Sequence, residues 1–164
     1  MRLIYRSVVS VACITCVIGL LQIARPQKPS SDLTLQELSR LLLKNDVLGR
    51  RQAAKTISEW EASLDSAIPA LLAKVHDDDS EVRVWVIVAL GKSRVRTPEV
   101  LDALIDAIDD SNKTVQVEAI CILTEMGSEA TKASSAFRQL LLRRPPDPQS
   151  DVRINAAYAM MLID

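Results

Sequence analysis

The sequence predicts an all-α chain, a short α-solenoid of about four helix pairs behind an N-terminal hydrophobic helix. Three observations carry this. Apolar positions recur every 33 residues through two successive helices. Only five of the 164 residues are aromatic, so the core falls to Leu, Ala, Val and Ile, which suit close-packed helices. An uncharged run, residues 7–24, precedes all of it.

That run (SVVSVACITCVIGLLQIA) follows Arg2 and Arg6 and precedes Arg25 and Lys28. As a helix it spans roughly 27 Å, close to the thickness of a bilayer core. A cleavable signal peptide has a shorter apolar stretch and small residues at −1 and −3. Ala24 suits −1, but Gln22 is a poor fit at −3. An uncleaved signal anchor over residues 1–24 explains the length better. The flanking charges favour a cytoplasmic N-terminus, which puts the remaining chain on the non-cytoplasmic side. If the leader is cleaved, the product is secreted or periplasmic. Cys13 and Cys16 lie inside the apolar run, where a redox pair would have no accessible thiolate. Residues 25–32 (RPQKPSSD) read as an extended linker.

The repeat occupies residues 33–164. Taking the first position of each second helix as Gly49, Val82, Val115 and Val152, the spacings are 33, 33 and 37. The four extra residues fall in RRPPDPQS, 143–150, where the prolines enforce a longer loop. In the first helices Leu35, Ile68 and Leu101 align at 33, as do Leu38, Leu71 and Leu104, then Leu42, Val75 and Ile108. Each first helix carries apolar residues at i, i+3, i+4 and i+7, such as Ile68, Leu71, Leu72 and Val75. Thr97-Pro98-Glu99, and Ser66 ahead of Pro69, mark starts. An acidic turn follows, Asp77-Asp78-Asp79-Ser80 or Asp109-Asp110-Ser111, placing carboxylates near the positive end of the second helix. The second helix is apolar at offsets 0, +4, +7 and +8, as in Val82, Val86, Ala89 and Leu90. Gly91 and Gly127 suit helix ends. Such a unit cannot bury its own apolar face, so the units must stack.

A Val-Arg pair after an acidic turn, then small residues and Ala-Leu-Gly, resembles the HEAT repeat, especially the short HEAT-like repeats of phycobilisome bilin lyases. Val82-Arg83 with Ala89-Leu90-Gly91 matches, as do Val152-Arg153 with Ala156-Ala157 and Ala159, and Arg50 with Ala53-Ala54. The third unit departs, with Gln116 for Arg and Thr124 for Gly. The resemblance covers residues 33–164. It is specific for architecture and weak for function, because such stacks serve many unrelated partners. It implies that Arg50, Arg83 and Arg153 pair with acids of neighbouring turns, Asp46, Asp79 or Asp110, in a structural role. It also implies an alternative function, one subunit of a heteromeric bilin lyase, although that enzyme would be expected in the cytoplasm.

The residues themselves favour a non-catalytic interaction scaffold or assembly factor at a membrane surface, with another protein as partner. With 20 basic and 21 acidic residues there is no electrostatic case for nucleic acid. No nucleophile elbow, zinc-helix motif or phosphate loop occurs. His76 beside Asp77, Asp78 and Asp79 reads as a solvated turn, because consecutive turn residues splay apart. No metal or cofactor is expected.

The candidate surface is the inner face lined by the second helices. Offset +2 holds Arg51, Val84, Val117 and Ile154; offset +6 holds Lys55, Val88, Cys121 and Tyr158; Trp85 stands beside them at +3. Offsets +2 and +6 share one face. The strip either takes a partner, with Trp85, Tyr158 and Arg51 as anchors, or packs between neighbouring second helices. The apolar run Met160 to Ile163 offers a second contact, including self-association through the last helix. A secreted binding module is the further alternative if the leader is removed.

Overall fold

A computed structural model describes residues 33–142 and 151–163. The segments expected from the sequence to be a membrane signal (1–24), a linker (25–32) and a longer loop (143–150) lie outside the described residues. Among the described residues every regular element is helical, and no helix is long and apolar enough to cross a membrane.

α1 (Leu35–Leu42) begins with a reciprocal cap. The Glu37 amide donates to the Thr34 hydroxyl, and the Thr34 amide donates to the Glu37 carboxylate. Two N–H groups that a helix start leaves without partners are thereby satisfied. The second helices α2 (Val47–Ser58), α4 (Ser80–Lys92) and α6 (Lys113–Met126) are capped by Asp46, Asp79 and Asn112, one position repeated every 33 residues. Each cap puts an oxygen at the positive end of the helix dipole.

The other first helices are α3 (Ile68–Leu72), α5 (Pro98–Asp106) and α7 (Ser134–Leu142); α8 (Asp151–Ile163) is the last second helix. A 3₁₀ turn, Asp65–Ala67, leads into α3. Ser66 therefore lies within a turn rather than capping the helix. α3 also ends earlier than its apolar period predicts, leaving Val75 in tight turns that run to Asp77. Asp77 is held there by Arg50 and Lys74.

The second helices stack in order, α2 on α4, α4 on α6 and α6 on α8, while the first helices touch each other more sparingly. α4 packs on α2, α3, α5 and α6, so its buried Val82, Val86, Ile87 and Leu90 belong to a core shared between units. Leu38, Leu71, Leu104 and Phe137 are all buried at one register of the first helices. Phe137, the only Phe of the chain, fills in the fourth unit the place that Leu takes in the others. Each such side chain contributes about 1.5–3 kcal/mol by leaving water.

The glycines divide. Gly127 ends α6 at φ +56°, as expected of a helix terminator. Gly91 instead lies inside α4, where a Cβ would stand 2.8 Å from the Ile122 side chain of α6. Its role is close approach of two second helices, not termination.

Candidate partner-binding surface

A ladder of arginines fixes how the second helices stand. Arg50 leaves the first turn of α2 and donates through Nη1 to the carbonyls of Lys44 and Asn45 in its own turn. Nη2 donates to Asp77 Oδ1 of the next turn at 3.0 Å, and Nε stands 2.8 Å from Oδ2. Arg83 repeats this arrangement. It donates to the carbonyls of Asp77 and Asp78 and grips Asp110 with Nε at 2.7 Å and Nη2 at 2.8 Å. Gln116 keeps only the local half, with Nε2 donating to the Asp110 carbonyl at 2.7 Å. An amide lacks the charged fork that lets Arg hold two turns at once.

The partner of Arg50 is therefore Asp77, not Asp46 or Asp79, whereas Arg83 takes Asp110 as the resemblance implies. Asp46 is used as a cap. Asp79 caps α4 and receives Arg51 through Nε at 2.9 Å and Nη2 at 2.6 Å. Arg153 stands half-buried at the matching position of α8. Burial works against the charged forms of Asp77 and Asp110. Burial is the largest single influence on each, but the arginine hydrogen bonds added to those from the Asp79 amide and Lys74 at Asp77, and from the Asn112 amide at Asp110, together outweigh it, so both titrate below the usual carboxylate range. The Arg51 guanidinium, with the Val82 amide, holds Asp79 down to about 2.

The strip on the second helices is graded rather than uniform. Val84, Val88, Val117, Cys121 and Tyr158 are half-buried, and Ile154 is 58% exposed. Val84, Trp85 and Val117 pack partly against the core. Arg51 is spoken for by Asp79 and Glu81, so it joins two units rather than offering an open charge. Lys55 is exposed, and its ammonium stands 5.8 Å above the Trp85 ring, within cation–π range. The Trp85 indole N–H is buried and has no acceptor among the described residues. Trp85 and Val84 line a groove of about 270 Å³ with Ser80, Glu81, Asn112 and Thr114, between the starts of α4 and α6. On α8, Met161 is 80% exposed and Leu162 is also exposed.

A larger groove lies at the other end of the second helices, and its residues carry no local sequence signal. It has a volume of about 710 Å³ between the α2–α3 loop (Trp60, Glu61, Ser63, Asp65) and the end of α4 with the α4–α5 loop (Lys92, Arg94, Val95). The Lys92 ammonium crosses between units to the Ser58 carbonyl at 2.7 Å. Arg94 has φ +53°, the one positive φ outside glycine among the described residues. Its repeat equivalent, 33 residues on, is Gly127. Register comparison alone reveals that pairing. Among the described residues no group of three or more His, Cys, Asp or Glu is placed to hold a metal ion.

Comparison with known proteins agrees with this geometry. The family described as HEAT repeats matches residues 34–115. The crystal structure of an engineered protein is similar at 24% identity and a TM-score of 0.56, over 79% of this chain and 62% of that one. The chain thus spans less than two thirds of that protein, and at this identity the likeness speaks for the fold alone. Among curated proteins, none matches.

Proposed function

The chain belongs to the HEAT repeat family, and from that premise we propose that it is a non-catalytic scaffold that binds another protein along its second-helix face. The family's stacks typically serve as protein-interaction scaffolds. The observation that carries the placement is Trp85. It is a large, half-buried ring beside a groove, with a lysine over its face and an indole N–H lacking an acceptor. Trp is a frequent anchor of protein interfaces. Val84, Val88, Val117, Ile154 and Tyr158 extend the apolar surface along the stack, and Lys55 supplies the open charge at one end. Arg51 stays in the reading as a support for Asp79.

The test is Trp85→Ala in the full chain. Capture of the partner, identified by crosslinking in the native membrane and mass spectrometry, should fall while thermal stability changes little. A sharp loss of stability with capture unchanged makes Trp85 a core residue and removes the surface.

The reading includes an anchor at residues 7–24, with the repeat domain on the non-cytoplasmic side. Extraction that needs detergent, and protease sensitivity from that side only, would support it; a mature N-terminus near residue 25 would replace the anchor with a cleaved leader. Self-association through α8 is a secondary element. A clean monomer at high concentration by light scattering would remove it. The bilin-lyase alternative gains nothing from the family match, which is to HEAT repeats in general.

A further inference from the structure

We propose that the α1–α2 turn of the first unit rests on an anionic lipid surface, with Leu43, Val47 and Leu48 in its interfacial layer and Arg40 and Lys44 on its headgroups. The inference rests on the anchored reading of residues 7–24 and adds a second membrane contact within the repeat itself.

Register comparison sets this turn apart. Leu43, Val47 and Leu48 correspond to His76, Ser80 and Glu81 in the second unit and to Asp109, Lys113 and Thr114 in the third. Three positions that are polar in both of those units are thus apolar in the first. All three are exposed, Leu48 to 72%. Leu43 closes α1 and the other two open α2, so they flank one short turn. The same turn changes charge. Asp77 and Asp110 receive Arg50 and Arg83 from the unit before, and the first unit has Lys44 at that position. Lys44 is exposed, and its ammonium makes no ion pair among the described residues. Arg40, one turn earlier, is exposed as well.

Charge complementarity selects the occupant. Residues 33–58 hold five basic and two acidic side chains, whereas residues 59–164 hold eleven and eighteen. This basic unit is also the one next to the apolar run, joined to it by residues 25–32, a stretch that reaches at most about 29 Å. Apolar side chains flanked by Arg and Lys suit anionic headgroups over an acyl layer. A second copy of the chain fits worse. Stacked end to end, it would bring its own Arg153, the register equivalent of Arg83, toward Lys44. Two first units face to face would bring Lys44 toward Lys44. Either arrangement sets like charges together.

The test uses the full chain with a fluorescent NBD residue at position 48, or at Asp102, an exposed residue of α5. It is reconstituted with vesicles of phosphatidylcholine alone or with about one third phosphatidylglycerol, doped with lipid spin-labelled near the headgroup. Quenching is expected at 48 and not at 102, and more strongly with phosphatidylglycerol. It should be lost in the double variant Arg40→Gln, Lys44→Gln, whose attraction to such a surface is about thirtyfold weaker. Both residues are exposed, so the variant should keep its helical circular dichroism. Equal quenching at 48 and 102, or quenching at 48 indifferent to phosphatidylglycerol or to the double substitution, would overturn the proposal. A blue-shifted probe at 48 that no spin-labelled lipid quenches reports protein rather than lipid around it, and would overturn it too. Flotation reports the anchor separately. A chain that floats on phosphatidylcholine without quenching at 48 keeps the anchor and loses the turn. One that floats only with phosphatidylglycerol, and not after the double substitution, keeps the turn and loses the anchor. One that floats on neither loses both.

Discussion

Arg50→Ala removes the most buried cation among the described residues, and its effect can be worked from the contacts. The Arg50 side chain is 8% exposed and its partner Asp77 2%. Truncation takes away donors from two carbonyls and leaves a buried carboxylate facing a cavity. Breaking a buried pair from one side typically costs about 3–5 kcal/mol. Two contacts soften this: the Lys74 ammonium 3.2 Å from Asp77 and the Asp79 amide that donates to it at 3.1 Å. We expect the lower end, about 3 kcal/mol, for Arg50→Ala. Asp77→Ala should cost about as much, and the double variant clearly less than the sum. Urea unfolding of the four proteins followed by helical circular dichroism measures the cycle. An Arg50→Ala cost within about 0.5 kcal/mol of zero, or single costs that simply add, would refute the claim that this pair locks the first two units.

Other outcomes follow from the same contacts. Gly91→Ala should destabilise by about 1–3 kcal/mol through overpacking against Ile122, despite the better helix propensity of Ala, and Ile122→Val should restore part of the loss; thermal melts of the single and double variants check it. Gly127→Ala, at φ +56° and ψ −128°, should cost about 1–3 kcal/mol through backbone strain alone, since nothing lies within 4 Å of an added Cβ. Arg94→Gly should raise stability by up to about 1 kcal/mol, and a lower melting temperature would contradict the reading of its backbone. Asp77, Asp79 and Asp110 titrate lower in the folded chain than in the unfolded one. Their contribution is thus full at neutral pH and drains away as pH falls from about 4 to about 2. Melting temperatures recorded along that range should fall there, and a curve flat down to about pH 2 would contradict the ladder.

The repeat was legible in the sequence because burial follows helical period and register, both local. Val82, Val115 and Val152 are all buried at the position the spacing assigns, as are Leu38, Leu71 and Leu104. Choices that depend on how a turn folds in space were not legible. Three consecutive acids, Asp77 to Asp79, offer Arg50 equivalent charges, and only the turn geometry decides that Asp77 receives it while Asp79 turns to Arg51 and the start of α4. Gly91 reads as a helix end because the residue that needs its missing Cβ, Ile122, lies on another helix. Trp60 and Arg94 are far apart in sequence and line one groove only because loops of successive units lie side by side. The second-helix strip was legible as a set of positions, but not the engagement of Arg51 between units.

The most direct test of the central claim is photocrosslinking from the intact chain in the cells that produce it. A benzophenone-bearing residue is placed at Val88, at Tyr158, or at Asp102, an exposed residue of α5. The account predicts that one and the same protein is captured from positions 88 and 158 and not from 102. Capture from 102 alone, or none from either second-helix position, would contradict it.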